Sequence, residues 1–137
     1  MMKRVSVQTS ETASLEKAWE FWNDPKHIIG WAFDSEDWEV RGAENDLRIG
    51  GKFKIRTQTK DGSESVDFVG TYTDVKEHEL IEYDLGDGRH VRVQFKETSN
   101  GVLVTEDFEP ENASPEEAER SSWLATLENF KSYVESK

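Results

Sequence analysis

The sequence predicts an α+β helix-grip domain with the element order β-α-α-β(6)-α, a curved antiparallel sheet wrapped around one long C-terminal helix. Three observations predict it. Strand-like alternation runs almost unbroken from Trp38 to Phe108, two short helical patterns precede it, and one long amphipathic pattern closes the chain. At 137 residues the chain is one domain's worth, spanning 1–137 around a single core.

The first element is "VSVQTSE", Val5 to Glu11, which alternates as a strand with Val5 and Val7 on one face. Ser14 then reads as an N-cap, because a serine oxygen can accept from an otherwise unpaired first-turn N–H. Leu15, Ala18, Trp19 and Trp22 follow at helical spacing until "NDP" stops the run. Asp24 with Pro25 opens a second short helix through "KHII", ended by Gly30.

Three hairpin signals punctuate the sheet: "DG" at Asp61 and Gly62, "DG" at Asp87 and Gly88, and "NG" at Asn100 and Gly101, each able to supply the positive φ of a tight turn. Between them one face carries Phe53, Ile55, Thr57, Phe68, Tyr72, Ile81, Tyr83, Val91, Val93, Phe95, Val102, Val104, Glu106 and Phe108. The other face is mostly charged or polar, so one side of the sheet is covered and the other meets water. The cover is the tail, where Ser114, Pro115 and Glu117 form a capping box ahead of Trp123, Leu124, Leu127, Phe130 and Val134 at steps of three and four.

The pair Gly50 and Gly51 in "DLRIGGKF" poses a choice between phosphate binding and mechanics. A phosphate loop leads from a strand into a helix N-terminus, where free N–H groups meet the anion. Here the pair leads into the strand "KFKIRT". The glycines therefore mark a bulge or tight bend of a long strand and shape the wall it forms.

Composition narrows the function. Seventeen Lys and Arg against 29 Asp and Glu give a formal charge of −12, which repels nucleic-acid backbones and anionic membrane surfaces. Cysteine is absent, so there is no disulfide framework or thiolate nucleophile. The N-terminus lacks the apolar core of a signal peptide and no run of 18 apolar residues occurs, so the expectation is a cytoplasmic protein without membrane insertion. The three histidines, His27 in the short helix near Trp31 with the cavity mouth as an alternative place, His78 in a charged turn and His90 on the solvent face, read as surface or capping residues. No spacing among them suggests a metal site, and no cofactor is expected.

Six segments then resemble one family in order and spacing. "FWNDPKHIIGWAF" is similar to the Trp-Pro-Ile-Trp signature of the START-like (SRPBCC, Bet v 1-type) superfamily, in the branch related to the ATPase activator of the ninety-kilodalton heat-shock chaperone. "NDLRIGGKF", "DFVGTYTDV", "VRVQFKET", "VTEDFEPEN" and "WLATLENFKSYVE" continue it over nearly the whole chain. The resemblance implies a helix-grip fold with a deep cavity between the sheet and the last helix, used by relatives to hold lipids, hormones or polyketides. It does not imply one shared activity. The chaperone activator couples such a domain to a second chaperone-binding domain, for which 137 residues leave no room.

Candidate site residues follow from the inward face. Glu106 alternates with Val102, Val104 and Phe108, which turns its carboxylate inward. Unpaired there, it has the raised pKa of a general acid or base; paired with an Arg or a Tyr hydroxyl, it is structural. Tyr72 and Tyr83 either hydrogen-bond a ligand or complete the core. Trp22, Trp31, Phe33, Trp38, Phe53, Ile55, Phe68, Val91, Val93, Phe95, Val104, Trp123, Leu127 and Phe130 are candidates for an apolar ligand-binding wall, with the segment from Trp31 to Trp38 as its rim or lid. The expectation is a monomer or homodimer that binds an apolar or aromatic small molecule. Two alternatives stay open: a cofactor-independent cyclase or dehydratase using Glu106, and a chaperone-contacting domain that uses its acidic surface.

Overall fold

The computed structural model describes residues 4–33, 35–110 and 116–137. Its elements are β1 (Val5–Glu11), α1 (Leu15–Asn23), α2 (Pro25–Ile28), β2 (Trp38–Asn45), β3 (Lys52–Thr59), β4 (Ser65–Lys76), β5 (Leu80–Leu85), β6 (His90–Thr98), β7 (Gly101–Phe108) and α3 (Glu116–Ser136). The seven strands form one antiparallel sheet in the order β1-β7-β6-β5-β4-β3-β2. First and last strands in sequence thus meet, while β2 stands at the opposite edge.

Local chemistry sets the ends of the helices. Ser14 accepts from the Lys17 N–H at 3.1 Å and caps α1, and Asp24 accepts from the Lys26 N–H at 3.0 Å with Pro25 following it. The capping box expected before α3 lies outside the described residues at Ser114 and Pro115. Down α3, Leu127, Phe130 and Val134 recur every three or four residues and are fully buried. Burying side chains of this size stabilises the fold by roughly 2 kcal/mol each.

The sheet curls because its pairing slips twice. Register shifts lie between Val40 and Gly42 on β2 and between Tyr72 and Asp74 on β4, and a shift of this kind bends the strand and increases its twist. Between these slips the inward positions stay in step: Phe53 faces Gly70, Ile55 faces Phe68, Tyr72 faces Tyr83, and Val93 faces both Ile81 and Glu106. One continuous concave face results.

The glycine pair lies in the turn between β2 and β3 and not within a long strand. Gly50 has a φ of +85°, and a Cβ on Gly51 would stand 2.1 Å from the Asp46 carbonyl oxygen. Gly50 N–H donates to the Tyr72 carbonyl and Tyr72 N–H to that of Gly51, both at 2.9 Å, so the turn closes onto β4. Their role is mechanical, as the sequence suggests, but at a turn.

Two of the expected hairpin glycines, Gly62 and Gly88, take left-handed φ values of +78° and +93°. Gly101 is constrained differently: it has a φ of +157°, and a Cβ there would sit 1.9 Å from the Glu11 carbonyl oxygen, where β7 crosses the end of β1. Gly101→Ala should therefore destabilise the protein by about 3 kcal/mol. Gly42→Ala, with nothing within 4 Å of the added methyl, should stay within about 1 kcal/mol of the parent. Urea denaturation of the two variants checks both; equal midpoints would remove the role given to the Gly101 contact.

Candidate functional site

Helix α3 fills only part of the concave face. Leu127, Phe130 and Val134 belong to the core against β1 and the sheet beyond it. Further toward its N-terminus, Ser122, Trp123 and Thr126 instead face a pocket of about 390 Å³. Across from them the pocket is walled by Trp38, Asn45, Phe53, Ile55, Thr57, Val66, Phe68, Tyr72, Ile81 and Tyr83 from β2 to β5, and by Glu106 from β7. Trp22, Asn23, Ile28, Trp31, Ala32 and Phe33 close it from α1, α2 and the segment after them, and Arg89 enters from the β5–β6 turn.

The rings of this wall support one another. Phe53 stands 4.9 Å from Tyr83, 5.5 Å from Tyr72 and 5.6 Å from Phe68, edge-on or tilted. Trp123 stacks on Phe108 at 4.3 Å with 7° between planes. On the helical side Trp22 and Trp31 lie 4.7 Å apart, each about 5 Å from Phe130, and the Trp31 indole N–H donates to the Phe21 carbonyl at 3.0 Å. Edge-to-face pairs of this kind add about 1 kcal/mol each beyond burial. They brace the rings against one another around the pocket.

The polar groups of the wall fall into two classes. In the first, each has a partner. Tyr72 donates its hydroxyl to the Asn45 side-chain oxygen, Asn45 donates to the Asn23 carbonyl at 2.7 Å, and Asn23 donates to the Trp19 carbonyl at 2.9 Å. Burial raises the Tyr72 pKa, against the pull of the Asn45 bond. Arg89 is likewise engaged, with its Nε 2.8 Å from Asp87 and a terminal nitrogen 2.9 Å from Glu119.

The second class is Glu106 and Tyr83. Glu106 is only 5% exposed, and its carboxyl makes no hydrogen bond or ion pair among the described residues. Burial alone pushes its pKa up to about 8. The Tyr83 hydroxyl has no hydrogen-bond partner among those residues either, and its pKa is raised by burial and then by the charge of Glu106. The structural pairing that sequence leaves open for Glu106 is thus absent among the described residues.

Of the residues expected from sequence, Trp22, Trp31, Phe33, Trp38, Phe53, Ile55, Phe68, Tyr72, Tyr83, Glu106 and Trp123 line the pocket. Val91, Val93, Phe95, Val104, Leu127 and Phe130 do not; they pack in the closed half of the core, where α1 and α3 press directly on β6 and β7. Neither Gly50 nor Gly51 is part of the wall. Of the Trp31 to Trp38 rim, Asp34 lies outside the described residues, and Phe33 is tied down by Asn129, which donates to its carbonyl at 2.6 Å. Sequence reasoning missed Asn23, Asn45, Arg89, Ser122 and Thr126, and the inward parity of Asn45 with Ala43 is the one signal that pointed to any of them.

The histidines stay outside the pocket. His27 stacks on Phe21 at 3.8 Å and meets the Tyr133 hydroxyl at 2.9 Å. His78 sits edge-on to Trp19, and His90 bridges Asp84 and Glu82 at 2.7 and 2.8 Å, which raises its pKa against the effect of burial. Among the described residues no group of three or more His, Cys, Asp or Glu could hold a metal ion. Among them also, no helix is long and apolar enough to cross a membrane.

An unpaired buried carboxyl leaves a mark on stability. The Glu106 pKa rises from an ordinary 4.5 to about 8 in the fold, so between those values the native protein holds a proton that the unfolded chain has released. The stability this group allows is fully present below the unfolded value and is lost as pH climbs through the folded one. Glu106→Gln, neutral throughout, should match the parent near pH 5 and exceed it by roughly 4 kcal/mol at pH 8. Chemical denaturation across that range reads the difference; a pH-independent gap would mean that Glu106 is paired in solution.

Comparison with known proteins places this geometry. The family model for "Activator of Hsp90 ATPase homolog 1-like protein" matches residues 12–135. A solution structure of the AHSA1-like protein from Aeromonas hydrophila superposes with a TM-score of 0.93 at 36% identity, covering 98% of this chain and 93% of that one. A protein from Cytophaga hutchinsonii gives 0.84 at 44% identity, covering 97% and 92%. One from Nitrosomonas europaea gives 0.85 at only 15% identity, covering 97% and 94%, a likeness of fold alone. No curated protein matches significantly. With its curled seven-stranded sheet gripping the C-terminal helix, the chain belongs to the AHSA1-like family and has its START-like helix-grip fold.

Proposed function

We propose that this protein binds an apolar or aromatic small molecule in the pocket between the sheet and α3. The observation that carries the reading is a wall in which nine of the 21 described lining residues are aromatic, with two polar groups, Glu106 and Tyr83, left without partners among the described residues. Small-molecule sites have this character: mostly apolar concavities of about 300–1,000 Å³ with a few polar groups that fix orientation. At about 390 Å³ the pocket suits a ligand of two or three fused rings or a short acyl chain.

One observation favours a second reading. A carboxyl titrating near neutrality inside an apolar site has the poise of a general acid or base. A cofactor-independent cyclase or dehydratase acting on the same class of molecule would use Glu106 for that proton transfer. Loss of turnover in Glu106→Gln identifies such an enzyme, whereas a carrier shows altered affinity alone.

The test is native mass spectrometry of protein isolated from its own host, then thermal-shift screening with fatty acids, flavonoids and polyketide-like aromatics. A true ligand at one hundred times its Kd should raise Tm by on the order of 10 °C. Thr126→Trp, which places an indole in the pocket from α3, should abolish that shift. A protein-docking function of the acidic surface predicts indifference to this substitution, and an absence of any stabilising compound would defeat the small-molecule reading.

A further inference from the structure

The chemistry of the unpaired end of the pocket narrows the class of ligand. Of the described residues that line it, Arg89 and Glu106 ionise to opposite charge. Arg89 is spent on Asp87 and Glu119 at 2.8 and 2.9 Å. Glu106 is set among Val7 on β1, Val93 on β6, and Val104 and Phe108 on its own strand, with Tyr83 of β5 close enough to feel its charge. The other titratable group on the wall is Tyr72, which is bonded to Asn45. The α3 face opposite offers Ser122, Trp123 and Thr126. Among the described residues no Lys or His lines the pocket.

A lone carboxylate in a ring-lined cavity has one complementary ligand group. An organic cation meets the carboxylate at short range and the negative faces of the aromatic rings at its sides, and desolvation strengthens both attractions. The net charge of −12 adds a long-range field that draws cations toward the protein and repels carboxylate ligands such as fatty acids. We propose that the pocket takes a small aromatic or apolar molecule carrying a protonated amine or quaternary ammonium group, seated against Glu106 with the wall rings around it. The proposal rests on the small-molecule reading above and narrows it.

A neutral ligand with a carbonyl or hydroxyl group is the competing occupant, because protonated Glu106 can donate to an oxygen. The two differ in sign with pH. A cation requires ionised Glu106, so its binding releases a proton below about pH 8 and tightens as pH rises, by about fivefold between pH 7 and pH 8. A neutral acceptor requires the protonated acid and weakens over the same range. Burial opposes the carboxylate only until a cation neutralises it.

The experiment is isothermal titration calorimetry at pH 6, 7 and 8 with 2-naphthylmethylamine and 2-naphthylmethanol, which share their rings and differ in the ammonium group. Two buffers of unlike ionisation enthalpy count the protons released. The amine is expected to bind about tenfold tighter than the alcohol at pH 8, with a gap that closes toward pH 6 and close to one proton released at pH 7. Glu106→Gln, checked for an intact melting transition, should erase the gap. Equal or tighter binding of the alcohol at pH 8, or a gap that survives in Glu106→Gln, overturns the cation inference while leaving the small-molecule reading in place. Failure of both probes to bind up to their solubility, in a protein that other compounds stabilise, also overturns the inference alone. Failure of these and every other compound overturns both.

Discussion

One helix has to cover seven strands, and the rest of the molecule follows from its inability to do so. The apolar stripe of α3 is narrow, and its C-terminal half is committed to Leu127, Phe130 and Val134 in the core. The sheet, bent by slips on β2 and β4, curls past that half and stands clear of the other. Aliphatic side chains would collapse such a gap, since interiors close to crystal-like density where they can. Rings resist collapse because each is braced by its neighbour: Phe53 by Tyr72 and Tyr83, Trp123 by Phe108, Trp22 by Trp31 and Phe130. The aromatic composition of the chain is the means by which the space persists.

The wall contrasts a satisfied polar end with an unsatisfied one. Tyr72, Asn45 and Asn23 hand hydrogen bonds along to the backbone of α1, which stitches the β2 edge to the helices. Glu106 has no such chain. A buried carboxyl without a partner works against folding at neutral pH, and a glutamine or valine in its place would be easier to accommodate. Glu11 provides the comparison. It is also buried, with one oxygen unpartnered and a pKa raised to about 7, but the Thr9 hydroxyl and the charge of Lys131 pull back against its burial, and it lies outside the pocket. Stability sacrificed at Glu106 is sacrificed inside a concavity lined by rings, which is where local inconsistency with folding points to use.

Much of the fold was legible because it rests on short-range rules. Period-two alternation from Phe53 to Phe108, the caps at Ser14 and Asp24, and the turn pairs at Gly62 and Gly88 each act over a few residues. The glycine pair is mechanical, as its sequence context suggests, but lies between two strands and not inside one, because a two-residue bend looks alike in both places. The pocket was only half legible. Alternation tells which face Val91, Val93, Phe95 and Val104 occupy, but not how far along the sheet the helix lies, and that distance alone separates packed core from cavity wall. Asn23, Asn45, Arg89, Ser122 and Thr126 escaped because a search for rings passes over polar residues whose inward aim depends on a bulge or a turn.

Exposure grades across the wall of the pocket. Val66, 56% exposed, with Thr57 and Trp38 beside it, stands at the outer margin of the wall, whereas Glu106 is 5% exposed and three strands beyond β4. Across that margin the segment after α2 is pinned by the bonds from Trp31 to Phe21 and from Asn129 to Phe33. For a ligand of the proposed kind that enters at this margin, Glu106 lies beyond the rings, which would take its water before the carboxyl is met. A polar group that made the passage would gain its one strong contact only at the end, so the interaction that holds a ligand in place is also the last to form and the first to break. On the proposed reading, selectivity would reside in the deep carboxyl and capacity for apolar bulk in the ring-lined wall.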